Sequence, residues 1–265
     1  MIKRVSVFIN SLSLDFIRLI VMKIKNYFVC LIALMAFYSC GGDEDEQITP
    51  PNPTSADILG SVNLYDEGTT EIDNSNMTVK VEGISKSART DASGDYVLSN
   101  VAFGTYTLVY EKSGYGTFKR FNLGHSNGNT IITESPSLGQ VSTTQVTDLE
   151  ANSSGNSIVL SVTTDPGGSN GNTRYVRYFL SADSNVSNEN YSFHSAGLIS
   201  QINPLELNIT SEDLITAGFS SGETVYVKVY GDSFWSNEYE DPDLGRMVFP
   251  NLNLNAAKAV SFVVP

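Results

Sequence analysis

The side chains best suited to chemistry gather in one stretch, DSFWSNEYEDPDLGR, residues 232–246. It sets Phe234, Trp235 and Tyr239 among Asp232, Glu238, Glu240, Asp241 and Asp243. Aromatic rings offer broad apolar faces on which a sugar ring can stack, and neighbouring carboxylates can take its hydroxyls. Phe234, Trp235, Tyr239, Glu238 and Asp241 are therefore a candidate sugar-binding set, expected on an inter-strand loop. The competing expectation is that Trp235 packs over the end of a sheet sandwich as a lid on its core. The same carboxylates suit Ca²⁺, which prefers several oxygen ligands, although the stretch lacks the D-x-D-x-D-G spacing of a calcium loop. A solvated acidic loop is the plainer expectation, and Ca²⁺ is the one cofactor left open. Asp66, Glu67, Glu71 and Asp73 form a sparser acidic set of the same kind.

Acid–base and nucleophilic chemistry finds less support. The two histidines, His125 in LGHSNGNT and His194 in NYSFHSAG, sit in expected turns with no G-x-S-x-G motif beside them. Single histidines in separate domains do not make a zinc site. A glycosidase-type carboxylate pair is not distinguished from solvated acids by residue type. A loop-carboxylate hydrolase therefore stays open as the last of three readings; the first is non-catalytic, with no catalytic residue assigned.

Location is written more plainly. Residues 27–38, YFVCLIALMAFY, are an apolar run of twelve. A membrane span needs about 20 residues, whereas this length suits the apolar core of a signal peptide. Lys23 and Lys25 directly follow Met22, so translation is expected to start at Met22, with residues 1–39 as the signal region. Cys30 lies inside the apolar core and leaves with it. Cys40 then remains as the sole cysteine, and no internal disulfide forms. The stretch FYSC resembles a bacterial lipobox, with small Ser39 before the cysteine, Phe37 where leucine is usual and a bulky Tyr38. That resemblance implies lipid attachment at Cys40 and a membrane partner reached through the anchor. The acids Asp43 to Glu46 resemble the export signal of Bacteroidota-type outer-membrane lipoproteins, which implies display on the cell surface.

The whole chain carries a formal charge of −13, and residues 1–39 hold five of its 16 basic and one of its 29 acidic residues. The remainder is thus strongly acidic, and such a surface repels phosphate backbones, which excludes nucleic acid as a partner. Residues 40–56, with Pro50, Pro51 and Pro53, read as a tether of at most about 50 Å.

Beyond it, apolar residues alternate with polar ones between Gly-rich turns, which predicts an all-β chain of antiparallel sandwiches. Ile58, Val62 and Leu64 alternate, as do Met77, Val79 and Val81, then Tyr96 with Leu98, then Tyr106, Leu108 and Tyr110. No helical stripe stands out. Gly60-Ser61-Val62, Thr90-Asp91 with Gly94, Tyr96 and Leu98, Gly104-Thr105-Tyr106-Thr107-Leu108, and Gly114-Tyr115 follow one another in order. Asp91 and Gly94 suit a tight hairpin turn, Gly104 suits a second, and Tyr96, Leu98, Tyr106 and Leu108 are expected to fill one core face. This series resembles the carboxypeptidase regulatory-like domain, which implies a transthyretin-like sandwich over residues 57–139 without activity of its own. Residues 140–265 continue with SIVLSV, RYVRYFL and TVYVKVY, whose order resembles a fibronectin type III or immunoglobulin-like sandwich. Val162 and Val225 depart from that pattern, where Trp and the corner Tyr are usual, and Tyr226 is expected to face away from the core.

Anchor, tether and two tandem sandwiches together resemble the accessory lipoproteins of polysaccharide uptake systems. The leading expectation is extracellular binding of a polysaccharide. The alternative is a structural or assembly role on another cell-envelope protein.

Overall fold

A computed structural model describes residues 52–265; the signal region, Cys40 and the tether as far as Pro51 lie outside the described residues, and the expectations attached to them with it. The described chain is all-β, with one short helix among its strands. No helix among the described residues is long and apolar enough to cross a membrane.

The first lobe holds β1 (Ser55–Ser61), β2 (Asn63–Tyr65), β3 (Thr78–Val81), β4 (Lys86–Arg89), β5 (Asp95–Ala102), β6 (Gly104–Glu111), β7 (Phe118–His125), β8 (Thr130–Ile131) and β9 (Ser137–Gly139). One sheet runs β4-β3-β6-β7 and a second β5-β1-β8, while β2 and β9 pair in parallel. The alternation predicted from sequence builds the core: Ile58, Val62, Leu64, Met77, Val79, Val81, Leu98 and Leu108 are all sealed from solvent. Burying each such aliphatic side chain contributes roughly 1.5–3 kcal/mol. Strand β1 begins at Ser55, so the last residues assigned to the tether are already in the sheet.

Three details differ from the sequence reading. Asp91 does make the turn, accepting the Ser93 and Asp95 amides at 2.9 and 3.0 Å, but the turn carries the chain from one sheet to the other. Gly94 there has φ +89°, and a Cβ would strike the carbonyl oxygen of Val62, so glycine is needed on both counts. Gly104 has no such requirement: a Cβ would meet only the ring of Tyr106, 3.2 Å away. Tyr106 itself is half-buried at the end of its strand, with its hydroxyl donating to the Ala102 carbonyl at 2.9 Å. Tyr110 completes the core face and shares a buried hydrogen bond of 2.9 Å with the Tyr96 hydroxyl. Burial pushes the pKa of both phenols up.

The second lobe holds β10 (Gln145–Ser154), β11 (Ser157–Asp165), β12 (Arg174–Ser181), β13 (Phe193–His194), β14 (Leu198–Ser200), β15 (Leu205–Thr210), α1 (Ser211–Thr216), β16 (Thr224–Asp232), β17 (Tyr239–Asp241), β18 (Arg246–Val248) and β19 (Val260–Val263). The sheet β10-β11-β15 faces β13-β12-β16-β19, with β14 also on β12 and β17-β18 as a separate hairpin. Ile158, Leu160, Val162, Val225, Val227 and Val229 fill the core between the sheets. Tyr226 does face away from that core, but onto a second apolar cluster of Phe179, Val186, Tyr230, Phe249 and Leu252. The helix spans six residues, too few to show a stripe, and is set by a capping box. Thr210 Oγ1 accepts the Asp213 amide at 3.1 Å, and the Asp213 carboxylate accepts the Thr210 amide at 2.9 Å.

Residues 53–265 form one compact unit, and two buried asparagines join its lobes. Asn251 accepts the Gly116 amide at 3.0 Å and donates to the carbonyls of Gly139 and Trp235 at 2.9 and 2.8 Å. Asn237 accepts the Gly139 amide at 2.8 Å and donates to the Gly139 carbonyl and to Asn251 Oδ1, both at 3.0 Å. The glycines admit this approach: a Cβ on Gly116 would strike the Pro250 carbonyl, and one on Gly139 would lie 2.5 Å from the Trp235 carbonyl oxygen.

Candidate functional site

The stretch from Asp232 to Arg246 leaves the end of β16, crosses to the first lobe and returns as the β17–β18 hairpin, so its second half is sheet where a loop was expected. Its alternate residues part company. Phe234, Ser236 and Glu238 line a cleft of about 230 Å³ with Tyr175, Arg177 and Ile199. Trp235, Asn237 and Tyr239 turn to the first lobe. The segment does this without being part of a sheet as far as Glu238: the chain bends at Phe234 and Trp235, and Asn237 takes a left-handed φ of 54°.

The five residues singled out from sequence therefore divide. Phe234 is 44% exposed and stands edge-on to Tyr175, with ring centroids 5.6 Å apart. Glu238 is exposed at the rim, where it meets Arg177 Nη2 at 2.6 Å and accepts the Ser236 hydroxyl at 3.0 Å. Trp235 does not lie over its own sandwich, and it stands edge-on to Phe234 with centroids 5.1 Å apart. Its ring packs on Tyr65 of the first lobe, with centroids 5.0 Å apart, because Gly139 lets the Trp235 backbone come against β9. Tyr239 packs against Phe118 and Phe121 of β7 at 6.0 and 5.9 Å. Asp241 is buried, and its carboxylate accepts the Asp243 and Leu244 amides at 3.0 and 3.2 Å, which closes the β17–β18 turn.

The sequence reading missed Arg177, which the structure places at the floor of the cleft. Its side chain is 3% exposed, yet every edge is engaged. Nε donates to Asp232 Oδ2 at 2.8 Å, Nη1 to the Ser195 carbonyl at 2.8 Å, and the guanidinium lies 4.6 Å from the Phe249 ring centroid. Alternation in RYVRYFL puts Arg177 on the face opposite Val176 and Tyr178, and a buried arginine calls for a carboxylate partner. That partner is Asp232, across the β12–β16 ladder. Burial pushes the Asp232 carboxyl above the ordinary carboxylate range, while the guanidinium and the Ser233 amide pull it back. Arg177 thus holds two acids at once, one sealed beneath it and one at the rim.

The cleft wall is tied from both lobes. The Phe234 amide donates to the Glu67 carbonyl at 3.0 Å. The Glu67 carboxylate in turn accepts Arg174 Nη1 at 2.6 Å and the Thr143 amide at 2.7 Å. The Ser233 hydroxyl donates to the Gln140 carbonyl. With the Asn237 bonds, Phe234 and Glu238 are held at fixed positions before any ligand arrives, which lowers the ordering cost of binding.

Elsewhere the carboxylates and imidazoles are occupied singly. Among the described residues no three His, Cys, Asp or Glu side chains converge in a group that could hold a metal ion. His125 is buried at the end of β7, where an exposed turn was expected. Its Nε2 faces the Val101 carbonyl at 3.1 Å and its Nδ1 the Thr130 hydroxyl at 2.7 Å. A carbonyl only accepts, so Nε2–H donates to Val101. His194 lies in β13, its ring 4.8 Å from that of Phe249.

No family model matches the chain, and no curated protein matches it. Solved structures do. It is similar to a "putative carbohydrate binding protein" from Bacteroides uniformis ATCC 8492 at 17% identity and a TM-score of 0.29, over 78% of this chain and 98% of that one. It is similar to a DUF3823 family protein from Bacteroides ovatus ATCC 8483 at 15% identity and a TM-score of 0.28, over 80% of this chain and 100% of that one. A third likeness is to a type II cohesin–X-dockerin complex from Acetivibrio cellulolyticus, at 24% identity and a TM-score of 0.28. It covers 32% of this chain and 58% of that one, so the chain spans little more than half of that structure. Likenesses at these scores identify no shared activity.

Proposed function

We propose that the protein is a non-catalytic binding module that grips a sugar in the cleft between Phe234 and Glu238. It is held at the outer membrane by a lipid on Cys40 and faces the medium. The observation that carries the sugar reading is the pairing of an exposed aromatic ring with a fixed carboxylate and hydroxyl across one small cleft. At about 230 Å³ the cleft is below the roughly 300–1,000 Å³ typical of sites for drug-sized ligands, and so fits one sugar residue or a chain end. Hydrolysis at this cleft is disfavoured, because a glycosidase needs two carboxylates facing the substrate and Asp232 is sealed under Arg177.

Native gels containing a panel of plant, host and microbial polysaccharides test the reading. Retardation of the wild-type chain that is lost in Phe234→Ala supports it, and no retardation across the panel overturns it. Trp235→Ala is the poorer probe, because it removes a lobe contact. The anchor is tested separately: metabolic labelling with a radioactive fatty acid is expected in the wild type and absent in Cys40→Ser.

A second reading, docking onto another envelope protein, is favoured by one observation. Leu59 of β1 stands opposite Val97 of β5 and Ile131 of β8, on the outer face of their sheet. Val97 and Ile131 are exposed, and the three line a shallow apolar hollow. Crosslinking in whole cells followed by co-purification would reveal such a partner.

A further inference from the structure

We propose that the cleft takes neutral sugars and turns away acidic ones, and that Glu238 sets this preference; the proposal rests on the sugar reading of the same cleft. A buried arginine at the floor of a cleft would ordinarily recruit a carboxylate or sulfate, through paired N–H bonds in the plane of the guanidinium. Here that attraction is cancelled. Among the described residues Arg177 is the one cation lining the cleft, and Asp232, 2.8 Å from its Nε, already balances its charge. Glu238 then occupies Nη2 at 2.6 Å, where an incoming anion would bind, and leaves the group one unit negative. Ser195 takes Nη1 through its carbonyl and Phe249 covers one face, so each of the three guanidinium nitrogens already has a partner.

The surroundings add to the same sign. Arg174 answers Glu67, and the Tyr175 phenol is held above its ordinary value chiefly by burial, with Asp66 and Glu67 adding to it. An anionic ligand would enter a negative field and would also have to displace Glu238 from its partner. A neutral sugar meets neither obstacle. Its hydroxyls can donate to Glu238 and exchange bonds with Ser236, while its apolar face lies on Phe234.

Matched polymers separate the inference from the reading beneath it. The full chain in detergent micelles would be titrated with polygalacturonate, alginate and hyaluronan, and with the same polymers after reduction of their carboxylates to alcohols. Neutral galactan, mannan and β-glucan complete the set. Binding of the neutral or carboxyl-reduced forms, on the order of tenfold tighter than of the parent uronates, is the expected result. Glu238→Gln keeps the shape and removes the charge, so the ratio of uronate to neutral binding should rise by on the order of tenfold. Should that variant fail to fold, the wild type gives a second readout. Its uronate binding should strengthen as salt is raised, because the repulsion is screened. Uronate binding equal to or tighter than neutral binding, lost in Phe234→Ala, overturns the inference and leaves the sugar site standing. Absence of binding to every polymer, neutral and acidic, overturns both.

Discussion

Removing the Asn251 side chain should loosen the two lobes together, and the size of the effect can be worked out bond by bond. Asn251→Ala deletes four hydrogen bonds. The Gly139 carbonyl keeps Asn237 Nδ2 as a donor, at 3.0 Å, so it is not orphaned. The Trp235 carbonyl loses its Asn251 donor, and the Gly116 amide is left facing only the Gly139 carbonyl across the Tyr115–Gln140 bridge. A group left unsatisfied in a buried site costs roughly 1–3 kcal/mol, so two cost about 3–4 kcal/mol after some relaxation. For a unit of this length each kcal/mol moves the melting temperature by about 2–4 °C, which predicts a fall of about 6–16 °C. Scanning calorimetry of wild type and variant is the assay, with Trp235 fluorescence as a local reporter, since its ring sits at the lobe contact. Asn251→Asp retains the acceptor but aims an anionic oxygen at the Gly139 and Trp235 carbonyls, and should be at least as damaging. A fall of under about 2 °C in Asn251→Ala would refute the claim that these amides hold the lobes together.

Gly94→Ala combines a left-handed φ with a strike on the Val62 carbonyl, and should cost about 3 kcal/mol or more in urea titrations followed by circular dichroism. Unchanged stability would mean that the turn can shift. Thr210→Ala removes one half of the capping box of α1 and should cost about 1 kcal/mol in the same titration. Acid should destabilise the fold. Hydrogen bonds from Ser75, Asn185 and Thr210 hold Asp73, Asp183 and Asp213 below the ordinary value of 3.8. Their stabilisation is complete above that value and lost as pH falls through the lower folded values. Asp232 works in the opposite sense, because burial raises its folded pKa, so acidification favours its folded form. The Asp232 gain is complete once pH has fallen to the ordinary value of 3.8, so below about pH 4 only the three lowered carboxylates still titrate. The melting temperature should drop there, and a rise there would refute the assignment.

The two sandwich cores were legible because they depend on period-two alternation, which a single strand carries within itself. SIVLSV needed no partner to be identified, and Ile158, Leu160 and Val162 are where alternation puts them. Features that depend on a distant residue were not legible. Gly104 looked like Gly94 in sequence, and the left-handed φ together with the Val62 carbonyl at Gly94 separates them. His125 sits in a polar, turn-like run, yet the Val101 and Thr130 oxygens, brought in from β5 and β8, draw it inside. Arg177 could have been marked from the alternation of β12, but nothing local says that Asp232 rather than any other acid would answer it.

The stretch 232–239 shows why the candidate site was half seen. Its composition, aromatic with amide and acid, is what a sugar site needs, and it is also what a wet lobe contact needs. Both roles are present, on opposite sides of one short segment. Phe234, Ser236 and Glu238 give the cleft an aromatic face, a hydroxyl and a carboxylate. Trp235, Asn237 and Tyr239 give the lobe contact an indole, an amide and a phenol ring. Hydropathy alternation cannot detect such a segment, because each side carries both apolar and polar groups and the profile comes out flat. The missing signal lay about a hundred residues upstream. Gly116 and Gly139 have no side chain because Pro250 and Trp235 need the space, so substitution there should act on the 232–239 segment from outside it. Gly139→Ala would push against the Trp235 carbonyl and shift Phe234 with it, weakening sugar binding without touching a cleft residue. A Gly139→Ala chain that melts below wild type yet binds sugar as tightly would show that the cleft does not depend on the lobe contact.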